Sequence, residues 1–263
     1  MKLILICFIL FFALGCVETS PTGTKNDCFK NSEYSYCITT NTSSTSQSVV
    51  YFFHGKDGDE KQWYEDFMQV IKNWDSKTAP TVISISFGKV WLLEDYKYNT
   101  LFNKAIPEIE SKLSKPVTKR MIMGVSMGGF NAASIITKNP KFFQKAMLNC
   151  PALVKFSPFN VLEIPLYILR TKADYKKIIE IFSLVAITYS VLYKYEDYSP
   201  FKNLTSEAPE MYVSCGDKDE YGFFEGAKAF VDLAKSKGIK AEYEQLSGGH
   251  CVFNYKKIAE FLQ

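Results

Sequence analysis

The chain has 263 residues, and its 31 Lys and Arg against 28 Asp and Glu leave a formal net charge of +3 without long runs of one sign, which excludes the electrostatic footprint of a nucleic-acid binder. Hydrophobic residues make up 47% and charged residues 22%, the balance of a globular chain of one large domain or two small ones, so disorder and fibrous repeats are excluded as well. Histidine occurs only at His54 and His250, which excludes any site built on three or more histidine ligands.

Met1-Lys2 is followed by an apolar run from Leu3 to Leu14 and then by a polar stretch rich in Ser, Thr and Asn. Twelve apolar residues behind a positive charge are too few to span a bilayer, which needs about 20, and match the core of an export signal. Residues 1–15 are therefore read as a signal peptide. The end of the run, Phe12-Ala13-Leu14-Gly15-Cys16, resembles a bacterial lipobox, with Ala and Leu in the reverse of the commonest order. The expectation is an exported lipoprotein held at a membrane through acylated Cys16, with plain secretion as the alternative. The sequons at Asn41 and Asn203 matter only in a eukaryotic secretory host, which a lipobox disfavours.

Residues 16–47 read as a lipidated tether ending in an edge strand near Tyr34 to Ile38. Cys28 and Cys37, nine positions apart in this polar segment, can close a small loop in an oxidising compartment, whereas Cys150 and Cys215 lie in apolar runs where a reduced Cys packs as a small hydrophobe. From residue 48 the pattern changes. Short apolar runs at Val49–Phe53, Val82–Phe87, Met121–Val125, Ala146–Asn149, Met211–Ser214 and Ala241–Leu246 alternate with stretches of helical period at Leu101–Leu113, Gly129–Thr137, Phe223–Lys237 and Phe253–Leu262. This β-then-α order predicts an α/β domain, a mostly parallel sheet with helices on both faces, over residues 48–263. The sixty residues from about 152 to 209 exceed what a crossover needs and are read as a cap, with Ile178 to Tyr193 as a buried cap helix rather than one resting on lipid.

Gly124-Val125-Ser126-Met127-Gly128-Gly129 follows a strand and opens a helix, the setting of a G-x-S-x-G nucleophile elbow. A serine hydroxyl needs a base to become nucleophilic. His250, in Ser247-Gly248-Gly249-His250 after the last strand, is placed for that task, while His54 reads as a hydrogen-bonded loop residue. The orienting acid is expected after the strand Met211–Ser214, where Asp217, Asp219 and Glu220 compete; any of them gives the chain order Ser, acid, His of α/β-hydrolases. Backbone N–H groups of Met127, after the nucleophile, and Lys56, after the first core strand, are the expected oxyanion donors. No metal and no cofactor is implied.

These motifs resemble the esterase D-like family of α/β-hydrolases, relatives of S-formylglutathione hydrolases, feruloyl and acetyl-xylan esterases and mycolyltransferases. The resemblance runs from about Val49 to the C-terminus on Tyr51-Phe52-Phe53-His54-Gly55 with Trp63, Ile106-Pro107-Glu108-Ile109, Gly124 to Gly129, Cys215-Gly216-Asp217-Lys218-Asp219 and Gly248-Gly249-His250. It implies an α/β-hydrolase fold with a helical cap insertion, and it assigns the acid to Asp219. Cys251-Val252-Phe253-Asn254 departs from the acidic and tryptophan residues common there. The resulting expectation is an extracytoplasmic serine esterase with the triad Ser126, Asp219 and His250, acting on a small-molecule or glycan-linked ester. Acyl transfer by the same chemistry and a non-catalytic binding lipoprotein are the alternatives; peptide cleavage ranks behind them, and Trp91 reads as a packed aromatic.

Overall fold

A computed structural model describes residues 23–92, 94–157, 160, 162–188 and 197–263. The signal peptide, Cys16, and the end of the proposed cap helix up to Tyr193 lie outside the described residues. Eight strands among the described residues form one sheet: β1 (Thr24–Lys30), β2 (Ser35–Asn41), β3 (Ser48–Phe53), β4 (Thr81–Ser86), β5 (Lys119–Val125), β6 (Lys145–Asn149), β7 (Glu210–Gly216) and β8 (Ala241–Leu246). Their order is β1-β2-β4-β3-β5-β6-β7-β8. The six strands from β4 to β8 are parallel, and β1 and β2 form an antiparallel hairpin on the β4 edge. The expected mostly parallel α/β sheet is present, and the expected strands agree with the observed ones to within two residues at most ends. β1 is an addition to the sequence reading, which took its residues as tether. Thr24, Asn26 and Cys28 face Asn41, Thr39 and Cys37 across the hairpin, and that polar register carries little hydrophobic signal.

The central strands are apolar on both faces because helices cover both. In β3, Val49 to Phe53 are all buried, and in β5 Met121 to Val125 are too. β8, at the far edge, instead alternates in Ala241-Glu242-Tyr243-Glu244-Gln245-Leu246 and stays half exposed. Trp63, stacked near Phe67 and Trp74, seals one face, and each such ring fully removed from water contributes about 1.5–3 kcal/mol. The elbow helix Met127–Lys138 is buried along most of its length, consistent with its apolar, uncharged run from Met127 to Thr137.

The segment expected as a cap supplies the helices Glu163–Thr171 and Tyr175–Thr188 between β6 and β7. The second buries Ile178, Ile181, Phe182 and Val185, so its described part packs against the domain through these side chains. The first buries Tyr167 and leaves Leu166 and Leu169 exposed, as is Leu162 just before it. No helix among the described residues is long and apolar enough to cross a membrane.

Candidate active site

β5 runs into Ser126 at φ 54 and ψ −115, and the elbow helix starts at the next residue. This left-handed backbone at a non-glycine residue is the strained turn that lifts a nucleophile clear of the sheet. The two flanking glycines are demanded by close approach. A Cβ on Gly124 would sit 2.1 Å from the Gly128 carbonyl oxygen, and one on Gly128 would sit 2.0 Å from that of Phe53. The turn is tied down by Ser126 N–H donating to the Asn149 carbonyl (3.0 Å) and by Phe130 and Ala152 N–H donating to the Ser126 carbonyl.

The loops after β7 and β8 bring the other two expected residues to the serine. His250 Nε2 lies 2.9 Å from Ser126 Oγ, and His250 Nδ1 lies 2.7 Å from Asp219 Oδ2. A carboxylate only accepts, so Nδ1 carries the proton and Nε2 is free to accept from the serine hydroxyl. Asp219 is 2% exposed and is held from three sides: besides His250, the Tyr221 N–H donates to Oδ1 (2.8 Å) and the Cys215 thiol donates to Oδ2 (3.3 Å). Burial, and then the neighbouring carboxylate, push the Cys215 thiol up, which keeps it a protonated donor. Asp217 is exposed and accepts from Gly248 N–H, tying the two loops together. Glu220 accepts from the His250 N–H (2.9 Å) and pairs with Lys177 (2.7 Å). Burial pushes its carboxyl up, but the Lys177 ammonium and two backbone N–H groups outweigh it and hold Glu220 down at about 2. The structure thus gives the three competing acids three different tasks.

Met127 and Lys56 sit where the sequence put the oxyanion donors: Met127 opens the elbow helix, and Gly55 and Lys56 line the cleft with Ser126 and His250. Neither N–H makes a hydrogen bond among the described residues, whereas the Gly55 N–H is already used by Gln62 Oε1 (3.0 Å). The Lys56 side chain turns away to Glu180 of the cap helix at 2.5 Å. His54 is buried and hydrogen-bonded to the Gly55 carbonyl (2.7 Å) and to Ser86 Oγ (2.8 Å), as a structural loop residue. Trp91 is buried against Phe130.

The cleft over Ser126 has a volume of about 450 Å³ and is walled by the Gly55–Asp59 loop, Ile181 of the cap, Tyr221 and Phe253. The Tyr221 ring lies 4.6 Å from the His250 ring and shields one side of that imidazole.

Cys28 and Cys37 are joined by a disulfide across the hairpin. The sequence reading of Cys150 as a reduced core residue is corrected: Cys150 is bonded to Cys251, 101 positions away, and only Cys215 is free among the described cysteines. The odd number of described cysteines leaves one thiol unpaired but does not say which pairs form. The sulfurs of Cys150 and Cys251 lie with a His250 nitrogen within 4.8 Å, a spacing suited to a metal. With the sulfurs bonded to one another and both imidazole nitrogens engaged, the described site leaves no free ligand set for an ion. Gln62, Tyr221, Glu180 and Asn149 escaped the sequence reading because nothing in their local sequence marks them.

A model of the prolyl oligopeptidase family matches residues 116–259, more than half of the chain. The chain belongs to the prolyl oligopeptidase family. It is thus a serine hydrolase, and the matched stretch holds Ser126, Asp219 and His250. The esterase-like α/β-hydrolase resemblance read from the motifs also stands at the level of fold. A ferulic acid esterase is 17% identical, with 91% of this chain and 95% of that one covered at a TM-score of 0.63. An S-formylglutathione hydrolase from Agrobacterium tumefaciens is 14% identical, with 93% and 98% covered at 0.64. A Pyrobaculum calidifontis esterase is 15% identical, with 90% and 84% covered at 0.66. At these identities the shared property is the fold. No curated protein sequence matches the chain significantly.

Proposed function

We propose that this family member hydrolyses carboxylic esters through an acyl-enzyme on Ser126. The observation that carries the reading is the unbroken hydrogen-bond chain from Asp219 through His250 to Ser126 on a strained elbow. His250 Nε2 takes the hydroxyl proton as Ser126 Oγ bonds to the ester carbon. The Met127 and Lys56 N–H groups receive the charge on the carbonyl oxygen, and a single such donor changes the rate by about 10²–10³. His250 then returns the proton to the departing alcohol, and water, activated by the same imidazole, releases the acid. Asp219 holds the ring and offsets the charge of the imidazolium.

The family match favours a second reading, cleavage of a peptide amide by the same machinery. Hydrolysis of a p-nitrophenyl ester series from acetyl to palmitoyl, beside peptidyl p-nitroanilides, separates the two. Ester turnover that disappears in Ser126→Ala supports the first reading. Anilide turnover with idle esters replaces it by the second. Partition of the acyl group to an added alcohol would identify a transferase.

The place of action is proposed to be outside the cytoplasm, tethered through Cys16. The apolar run with its lipobox-like end supports this, as do two disulfides, which persist in oxidising compartments. β1 runs parallel to the central strands, so Thr24 lies at the end of the sheet opposite Ser126. The covalent reach from Cys16 to Thr24 is at most about 28 Å. An anchor at that end of the sheet would favour a cleft facing away from the bilayer, toward soluble or envelope-linked esters. Cys16→Ser should move the protein from the membrane fraction to the soluble one; an unchanged distribution would remove the anchor.

A further inference from the structure

We propose that the Cys150–Cys251 disulfide is a positioning element of the catalytic base beside Asp219, so that the hydrolase reaches its full rate only in its oxidised form. The inference rests on the triad reading above. Cys251 is the residue directly after His250, and Cys150 directly follows Asn149, whose carbonyl accepts the Ser126 N–H. The crosslink therefore ties the base to the floor of the nucleophile elbow across 101 positions of chain. Both half-cystines hold backbone that non-glycine residues rarely adopt, Cys150 at φ 41 and Cys251 at φ 57. Together with Ser126, three of the four described non-glycine residues at positive φ meet at this one place. Such conformations persist only where the surroundings over-determine them.

The loop is also tied before and after the crosslink: the Gly248 N–H donates to Asp217 (2.9 Å) and the Gly248 carbonyl accepts from the Lys218 N–H (2.8 Å). The Asn149 side chain donates to the Val252 carbonyl (2.9 Å), and the Glu220 carboxylate accepts the His250 N–H (2.9 Å). Cys150 is fully buried and donates to Ser214 on β7 (2.6 Å), so that end is fixed. Cys251 is half-buried beside the cleft, between backbone held at Gly248 and at Val252, and the crosslink is the tie at Cys251 itself, so cutting it releases the residue next to His250. Reduction by a dithiol breaks the one S–S bond: two electrons and two protons pass from the reagent, which closes to its own cyclic disulfide, and the protein gains two thiols. The His250 ring then loses the anchor one residue away, while the Ser126 elbow, tied by its own backbone bonds, keeps its shape.

The test compares the oxidised protein with protein reduced by dithiothreitol and alkylated, and with a Cys150→Ser/Cys251→Ser variant. Each is followed by labelling with a fluorophosphonate and by ester kinetics across pH, normalised to the folded fraction from circular dichroism. The expected result is labelling and kcat at least tenfold lower in both, KM within twofold, an altered pH profile of kcat, and recovery on reoxidation of the unalkylated protein. A Cys28→Ser/Cys37→Ser variant should match the wild type when oxidised and lose activity as fully when reduced. Unchanged labelling and kcat per folded molecule, with the Cys150 and Cys251 thiols verified, would overturn the inference. No labelling of the oxidised protein would instead sink the serine mechanism on which it rests.

Discussion

The molecule contains two serine–histidine pairs of nearly the same geometry, in two regions of the sheet. At the β3–β4 ends, His54 Nε2 lies 2.8 Å from Ser86 Oγ; at the β5–β8 ends, His250 Nε2 lies 2.9 Å from Ser126 Oγ. In both the Nδ1 partner accepts only, so both imidazoles carry their proton on Nδ1 and take the hydroxyl on Nε2. What differs is everything around the bond. His54 is orientated by the uncharged Gly55 carbonyl and is buried, and Ser86 closes an ordinary strand. His250 is orientated by the buried Asp219 carboxylate, and Ser126 stands on a strained turn at the edge of an open cleft. A serine–histidine hydrogen bond is therefore not what sets the proposed nucleophile apart. The buried acid, the backbone strain and the open cleft do.

Removing parts of the second pair should have the largest effects. Ser126→Ala is expected to lower kcat by about 10⁵–10⁶ with the fold intact, read by p-nitrophenyl ester hydrolysis beside circular dichroism. Residual turnover within a hundredfold of wild type would place the nucleophile elsewhere. Asp219→Asn removes the charge and reverses the donor preference at His250 Nδ1, and is expected to cost about 10⁴ in kcat with little change in KM. Asp217→Asn, by contrast, disturbs only a tie between two loops and should stay within about fivefold; equal losses in the two variants would reassign the acid.

The ordering of these acids shows where sequence was informative. Ser126 and His250 were legible because glycine spacing reports a sterically forced turn and because two histidines leave little choice. Asp217 and Asp219 share one loop and one residue type, so only the family resemblance separated them; the structure separates them by burial. The parallel strands were legible because burial on both faces turns them into continuous apolar runs. The β1–β2 hairpin was only half legible, since its outer strand is polar and its pairing depends on a partner strand. The pairing of Cys150 with Cys251 was not legible at all, because closing 101 positions of chain is a property of the assembled sheet.

Between the two pairs in expected size stands the contact of the cap with the oxyanion loop. Lys56 and Glu180 meet at 2.5 Å, and this hydrogen bond raises the lysine above its ordinary range. Half-exposed pairs of this kind contribute at most about 1 kcal/mol. Glu180→Gln should change kcat/KM for p-nitrophenyl esters by less than about fivefold, through KM. A larger fall confined to kcat would mean that the cap sets the Lys56 N–H donor directly.

The smallest expected effects belong to the first pair, and they should appear in stability rather than turnover. Ser86→Ala leaves one buried imidazole nitrogen without its donor, a loss of about 1–3 kcal/mol, with kcat within about threefold. His54 carries a sign that can be read with pH. Burial lowers its basicity below that of an unfolded histidine, near 6.5, so between those two values the unfolded chain binds the extra proton. Its contribution is then fully present above about pH 6.5 and is lost as the pH falls through that value toward the lower folded one, by at most about 1.4 kcal/mol per pH unit. Urea unfolding of wild type and His54→Gln from pH 7.5 to 5 isolates this slope, because the other titrating groups are common to both. The wild type should lose stability faster on acidification. Parallel curves would mean that His54 is already free to take a proton in the fold, and the distinction between a sealed and a working serine–histidine pair would then rest on the carboxylate alone.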